Sequence, residues 1–350
     1  MNQFSPGTLL KLWLAGSSHY SLLLAKTLLT DSRFQFQGVI TPAPKPIGRQ
    51  QILTPSPMAV WADQAKITKI LLNEKIDTEA KTIITDQFST SGCDVLLVVD
   101  FGYFIPEWLL KLPRIAPVNV HPSLLPRWRG SSPAQRVLLA GETNSAVSVI
   151  KVTMQLDAGE ILTQLPLKVA PDWTSSDYYQ TAFELAASQL GNVLTQLASN
   201  QLTLHPQPSD SPTAMAARLT KADSYVPWQL VCQACGWTTT DTTQMAKTPA
   251  VKTPAPTSGL LLAELKTLTA PKDQAILLER ASRAFSPWPK LWTLLPTPRG
   301  WQRLILHQVQ LDPATQRLNL IQVQLEGKIP SSWNEIKNNL AETESVTHHV

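Results

Sequence analysis

Cysteine is scarce in this chain of 350 residues, which carries only three. Three thiols cannot all pair, so a dense disulfide scaffold is excluded. Cys232 and Cys235 form one Cys-x-x-Cys, with no second pair of ligands nearby. A structural zinc site needs about four ligands, so the pair reads as incidental thiols and no metal is expected. Such cysteine usage fits a reducing compartment. Long apolar runs are missing as well. No stretch approaches the roughly 20 residues of a membrane-spanning helix. Residues 9–15 are apolar, but Lys11 interrupts them and no clear cleavage site follows. They read as a first β-strand rather than a signal core.

Charge is slightly low, and acids are short in one part of the chain. Residues 1–215 hold 16 Lys+Arg and 16 Asp+Glu, while residues 216–350 hold 14 and 10. The whole +4 excess therefore lies in the C-terminal part. From 280 to 317 the bases Arg280, Arg283, Lys290, Arg299, Arg303 and Arg317 face a single acid, Asp312, with Trp288, Trp292 and Trp301 interleaved. A basic, aromatic face suits a nucleic-acid backbone. A solvated charged face over an ordinary tryptophan core would look the same, and charge alone does not separate the two.

The chain is long enough for two domains. Residues 9–15 and 34–41 read as strands, and 20–29 as a helix. Residues 41–57 are rich in proline and basic residues and are not expected to form regular structure. A helix starts near 58–64. Residues 94–99, with the core Val-Leu-Leu-Val-Val, read as a buried strand of the parallel type. Strands are expected at 116–121, 147–154 and 159–169, and helices at 132–139 and 176–197. Strands alternating with helices predict a doubly wound α/β sheet. Residues 206–212 are rich in proline and serine and read as linker. The later stretch 304–325 alternates short apolar runs with polar residues, which suits a small β-barrel of the oligonucleotide-binding kind. Residues 238–258, dense in Thr, Pro, Ala and Lys, read as a mobile low-complexity insertion.

The chemistry concentrates in Val118-Asn119-Val120-His121-Pro122-Ser123-Leu124-Leu125-Pro126-Arg127-Trp128-Arg129-Gly130 and in Gln155-Leu156-Asp157-Ala158-Gly159. Alternation along a strand points Asn119 and His121 the same way. Pro122 has no backbone donor and should end the strand. An amide and an imidazole are thus offered together at a strand's carboxyl end, where open α/β sheets bind ligands. Asp157 follows in a loop that Gly159 allows to turn tightly. A carboxylate facing a histidine orients its ring. The remaining histidines (His19, His205, His307, His348 and His349) have no such context.

These residues resemble the signature of the folate-dependent formyltransferases: Asn-x-His, then Ser-Leu-Leu-Pro, then a downstream Asp-x-Gly. The extended run through Arg127-Trp128-Arg129-Gly130 and on to Pro133-Ala134-Gln135-Arg136 is similar to the members that formylate methionyl-tRNA. The resemblance covers residues 8–228 and 276–310. It implies a Rossmann-like formyltransferase domain over 1–205, a linker at 206–215, and a smaller OB-like β-barrel domain for tRNA over 216–350. It implies Asn119, His121 and Asp157 as the catalytic trio, with the first two stabilising an oxyanion and His121, coupled to Asp157, moving a proton. Ser123, Leu124, Leu125 and Pro126 match the folate-binding stretch. Phe101, Tyr103 and Ile105 fall where relatives line the pterin pocket, and core packing is an equal reading of that segment. The loop Lys45-Pro46-Ile47-Gly48-Arg49 is similar to one that lies beside the acceptor stem, which implies Lys45 and Arg49 as RNA contacts. Arg129, Arg283 and Lys290 are further RNA candidates, and any arginine near the cleft could equally be ordinary surface charge.

The expectation is therefore formyl transfer from 10-formyltetrahydrofolate to initiator methionyl-tRNA, for translation initiation. It carries with it no metal, no membrane partner, a monomer, and a bacterial cytoplasm or organelle matrix. The alternatives are a sugar nucleotide or small amine as acceptor, a catalytically silent RNA-binding protein, and hydrolysis of formyl-folate. Departures from the pattern are Gly16-Ser17-Ser18 after the first strand, Gln50-Gln51 in the basic loop, Asp100-Phe101-Gly102, and the unmatched stretch 229–275.

Overall fold

The computed structural model describes residues 8–48, 50–237, 255–297 and 300–338. Arg49, Arg299 and residues 238–254 of the expected insertion lie outside them. The chain divides into two compact units. Unit 1 is Met1–Pro133, Thr143–Val169 and Tyr178–Ala216; unit 2 is Ala134–Glu142, Ala170–Asp177 and Ala217–Val350.

Unit 1 is built on a seven-stranded sheet of order β5-β2-β1-β6-β7-β8-β9. Its strands are β1 (Leu10–Gly16), β2 (Phe34–Pro42), β5 (Thr68–Leu72), β6 (Val95–Val99), β7 (Ala116–His121), β8 (Asn144–Lys151) and β9 (Ile161–Lys168). Pairing is parallel from β5 to β7, and β8 and β9 add antiparallel. The apolar run of β6 and, Lys11 apart, that of β1 are buried almost throughout, as parallel strands covered on both faces require. Helix α1 (His19–Leu29) starts at Ser18, whose hydroxyl accepts from the backbone N–H of Tyr20 and Ser21. Ser56 caps α2 (Pro57–Gln64) in the same way, with Pro57 in its first turn.

The expectation of irregular chain over 41–57 is corrected. β3 (Lys45–Ile47) and β4 (Ile52–Thr54) form a two-stranded antiparallel hairpin. Each strand is three residues long, and the turn uses Gly48 at φ 74° and Gln51 at φ 50°. Pro46 is tolerated because the ribbon has no third strand to accept from its missing N–H. Two elements carry little sequence signal: β5, and the Thr-rich helix α3 (Thr78–Ser91), which buries only Ala80, Ile84 and Phe88.

Unit 2 holds an antiparallel sheet of order β10-β11-β12-β13: β10 (Trp292–Thr297), β11 (Gly300–Leu311), β12 (Leu318–Leu325) and β13 (Ser331–Ser332). This agrees with a small barrel. The helices Trp228–Cys235 and Pro271–Ala284 pack on it, around Leu278, Phe285, Leu295 and Leu304, all inaccessible to solvent. No helix among the described residues is long and apolar enough to cross a membrane.

Candidate active site

β7 positions the first two functional side chains. Its register puts Asn119 opposite Ile150 and His121 opposite Ser148 of β8. Val118 and Val120 are buried on the alternate positions, so Asn119 and His121 share a side. Pro122 ends the strand. The turn that follows is pinned from several directions. Tyr178 donates its hydroxyl hydrogen to the Pro122 carbonyl at 3.1 Å. Ser148 donates to the Ser123 carbonyl at 2.7 Å and accepts from Leu125 N–H at 3.2 Å. Gln164 of β9 donates to the Leu125 carbonyl at 2.9 Å.

Asp157 arrives from the loop between β8 and β9 with left-handed backbone, at φ 51°. Gly159 is pressed so closely on β8 that any Cβ would fall on the Lys151 carbonyl. The loop brings the carboxylate to both strand residues. Asn119 Nδ2 donates to Asp157 Oδ1 at 3.3 Å. His121 Nδ1 lies 3.6 Å from Asp157 Oδ2. Gly130 N–H donates to the same Oδ2 at 2.8 Å. That approach needs Gly130, which sits at φ 121° with the Ala216 carbonyl 2.6 Å from where a Cβ would be. His121 is 4% exposed. Its Nε2 faces the Trp128 carbonyl at 3.0 Å. A carbonyl oxygen only accepts, so Nε2 carries a hydrogen and Nδ1 is the nitrogen turned toward the carboxylate. Asn119 has a second amide hydrogen beyond the one given to Asp157. The arrangement thus combines an amide donor with a buried imidazole oriented by a carboxylate.

The other expected site residues divide. Ser123 is fully buried and donates to the Arg127 carbonyl at 2.7 Å, and Leu125 packs with Ile150 and Ile161. Their side chains serve the turn and the core, which leaves Leu124 and Pro126 as the accessible members of that stretch. Ile105 is a core residue, and Phe101 and Tyr103 pack against the same cluster. The exposed aromatic of the segment is Phe104, at 69%. Lys45 lies on the hairpin with Nζ 5.3 Å from the centre of the Tyr103 ring. Arg283 bonds Glu279 at 2.6 Å and the Trp173 carbonyl at 3.0 Å. Lys290 follows the exposed Trp288 at a left-handed φ of 70°. Trp292 is buried, under the Arg303 guanidinium at 4.5 Å.

Arg129 requires a correction. It is 4% exposed, and its guanidinium donates to Gln207 Oε1 and to the carbonyls of Pro208 and Ser209. It is turned into unit 1, where four of its five N–H hydrogens are taken up. Its partners are residues read as linker. That stretch is stitched down further: Gln207 donates to the Asp157 and Gly159 carbonyls at 3.0 and 2.7 Å, Ser211 to the Pro126 carbonyl at 2.8 Å, and Trp128 N–H to Thr213 Oγ1 at 2.7 Å. Pro and Ser content signalled a linker because composition does not register long-range hydrogen bonds. No group of three or more His, Cys, Asp and Glu among the described residues is arranged to hold a metal ion.

Comparison with known proteins bears on this geometry. A methionyl-tRNA formyltransferase of Bdellovibrio bacteriovorus is 33% identical over 219 residues, which span 63% of this chain and 68% of that protein. Among solved structures, a sugar 3N-formyl transferase crystallised with dTDP and 5-N-formyl-THF superimposes with TM-score 0.51 at 15% identity, over 88% of each chain. An N-formyltransferase of Helicobacter canadensis, in complex with folinic acid and dTDP-3-aminofucose, gives 0.50 at 14% identity, over 93% of this chain and 99% of that one. At such identities these two share the fold. Residues 12–194, which include the sheet, the trio and the loop that carries Asp157, match the formyl transferase family, and the chain belongs to it.

Proposed function

We propose that the protein transfers the formyl group of 10-formyltetrahydrofolate to the amino group of methionine on initiator tRNA, with unit 1 carrying the chemistry and the C-terminal part binding RNA. The observation that carries the chemistry is the convergence of Asn119, His121 and Asp157 at the end of β7. The amine attacks the formyl carbon and a tetrahedral oxyanion forms. Asn119 donates its second amide hydrogen to that oxygen. The amine gives up a proton, His121 relays it, and N10 of the folate receives it as the carbon–nitrogen bond breaks. Asp157 holds the ring and balances its charge while the proton is in transit. The products are a formamide and tetrahydrofolate.

The acceptor rests on different support. The relative from Bdellovibrio bacteriovorus bears the name methionyl-tRNA formyltransferase. The hairpin presents Lys45 and, in sequence, Arg49, cations that would neutralise phosphates. The C-terminal part holds the chain's net positive charge. In this reading the protein acts as a monomer in a bacterial cytoplasm or organelle matrix.

The test is direct. Protein, 10-formyltetrahydrofolate and methionine-charged initiator tRNA are incubated, and formyl-methionine is sought after deacylation. Its appearance, dependent on His121, supports the reading. Formylation of an amino-sugar nucleotide instead, or formate release without acceptor, would assign the site to a small amine or to hydrolysis.

A further inference from the structure

Arg129 poses a physical question. A guanidinium buried to this degree costs folding energy unless its hydrogens are satisfied. Here four hydrogen bonds engage four of its five N–H hydrogens, and every acceptor is neutral. Two of them converge on one atom, Gln207 Oε1, at 2.9 and 3.2 Å. That fixes which end of the Gln207 amide faces which way. The Nε2 end must point away from the guanidinium, and it donates to the Asp157 and Gly159 carbonyls at 3.0 and 2.7 Å. These two carbonyls flank the left-handed turn that carries the catalytic carboxylate. The residue after Arg129, Gly130, holds that same carboxylate through its N–H. One short segment therefore grips Asp157 twice, by its side chain directly and by its backbone through Gln207.

We infer that Gln207, oriented by Arg129, is a positioning residue for formyl transfer: it sets the turn at Asp157 and through it the ring of His121. Gln207 acts by geometry and touches none of the trio's functional atoms. The inference rests on the trio being the catalytic centre. The amide chemistry predicts which substitutions matter. Gln207→Glu keeps an acceptor for Arg129 and so keeps the 206–216 segment bonded. It loses the donor and turns an anionic oxygen toward two carbonyls. Gln207→Ala loses both functions.

The experiment compares wild type, Gln207→Glu, Gln207→Ala and Asp157→Asn, with melting temperature, KM for formyl-folate, KM for methionyl-tRNA, and kcat. A displacement of about 1 Å in a reacting group is worth on the order of 100-fold in rate. The expected result is a 10- to 100-fold loss of kcat in Gln207→Glu, with both KM values within about twofold of wild type and melting unchanged. Adding Gln207→Glu to Asp157→Asn should cause no further loss, because the two act through one group. A wild-type kcat in Gln207→Glu would mean that Arg129 and Gln207 only anchor the segment, and the inference falls. A further loss on top of Asp157→Asn overturns it too. If Asp157→Asn itself leaves kcat unchanged, the catalytic reading of the trio fails instead. A readout independent of the acceptor is the ring resonance of His121 in histidine-labelled protein, assigned with His121→Gln. It should move in Gln207→Glu, and an unmoved resonance overturns the inference whichever amine the enzyme formylates.

Discussion

At the scale of single residues, the site is a division of labour set by donor and acceptor inventories. Asn119 and Gly130 give hydrogens to the Asp157 carboxylate, and His121 turns its Nδ1 toward it. His121→Ala should lower kcat by about 10²- to 10⁴-fold, the usual contribution of a positioned acid–base group. Folate affinity, measured by fluorescence or calorimetry, should stay within about twofold, because the contact matters most in the transition state. Folate binding that falls in step with rate would make His121 a binding residue. That Asn119 and His121 share one side of β7 was legible in the sequence, because strand alternation and the proline stop fix where they point. Gln207 was not legible, since its partners at 157 and 159 are some fifty positions away and only folding brings them near.

At the scale of elements, the β3–β4 hairpin and the turn at Lys221–Ser224 make separate predictions. The hairpin exposes Ile47, Ile52 and Leu53 at 58, 59 and 67%, beside Lys45. Lys45→Ala combined with Arg49→Ala should weaken tRNA binding and flatten its dependence on salt, because each lost phosphate contact releases fewer counterions. Folate affinity should not change. An unaltered salt slope would remove the hairpin from the RNA interface and favour a small-amine acceptor. The second case is Asp223, in the turn before helix Trp228–Cys235. Burial raises its carboxyl, but hydrogen bonds from Thr220 and Leu260 and the charge of Arg136 outweigh this and hold it below the usual range. A carboxylate lowered in the folded state stabilises above its unfolded value and loses that contribution as pH falls through the folded one. Asp223→Ala should therefore cost about 1–2 kcal/mol at pH 7, typical of a lost cap. The difference from wild type in urea titrations should shrink below about pH 4. Equal differences at pH 7 and pH 3 would show that the carboxylate's charge contributes nothing.

At the scale of the whole molecule, three buried thiols report on two units. Cys93 lies in unit 1, and Cys232 and Cys235 lie in unit 2. Burial pushes Cys232 up to about 12 and raises Cys93 and Cys235 as well. At pH 8 the thiolate fraction of Cys232 is then on the order of 10⁻⁴, and the thiolate is the reactive form. Native protein should show no thiol reacting rapidly with a disulfide reagent, and all three should react once urea unfolds the chain. In Cys93→Ser, thiol exposure should follow unit 2 alone. A fast native thiol would place that cysteine at a surface and contradict the packing.

Sequence alone determined the elements whose side-chain pattern repeats. The buried parallel run of β6, the half-buried alternation of β7 and the long helix Ser175–Ala198 each follow from periodicity, because a strand or helix imposes its own spacing on whichever residues must face the core. It also placed two members of the trio on one strand. What only tertiary structure decided is everything that depends on partners distant along the chain. The short strands of the hairpin stabilise each other across a turn, and neither has a pattern long enough to read. Arg129 looked like a surface cation, because a sequence records its charge and not the carbonyls that fold around it. The stretch 206–216 looked like a linker, because proline and serine predict poor regular structure and are silent about hydrogen bonds to a loop fifty residues away. Local pattern sets local conformation, whereas the site's geometry is fixed by hydrogen bonds that close only when remote segments meet.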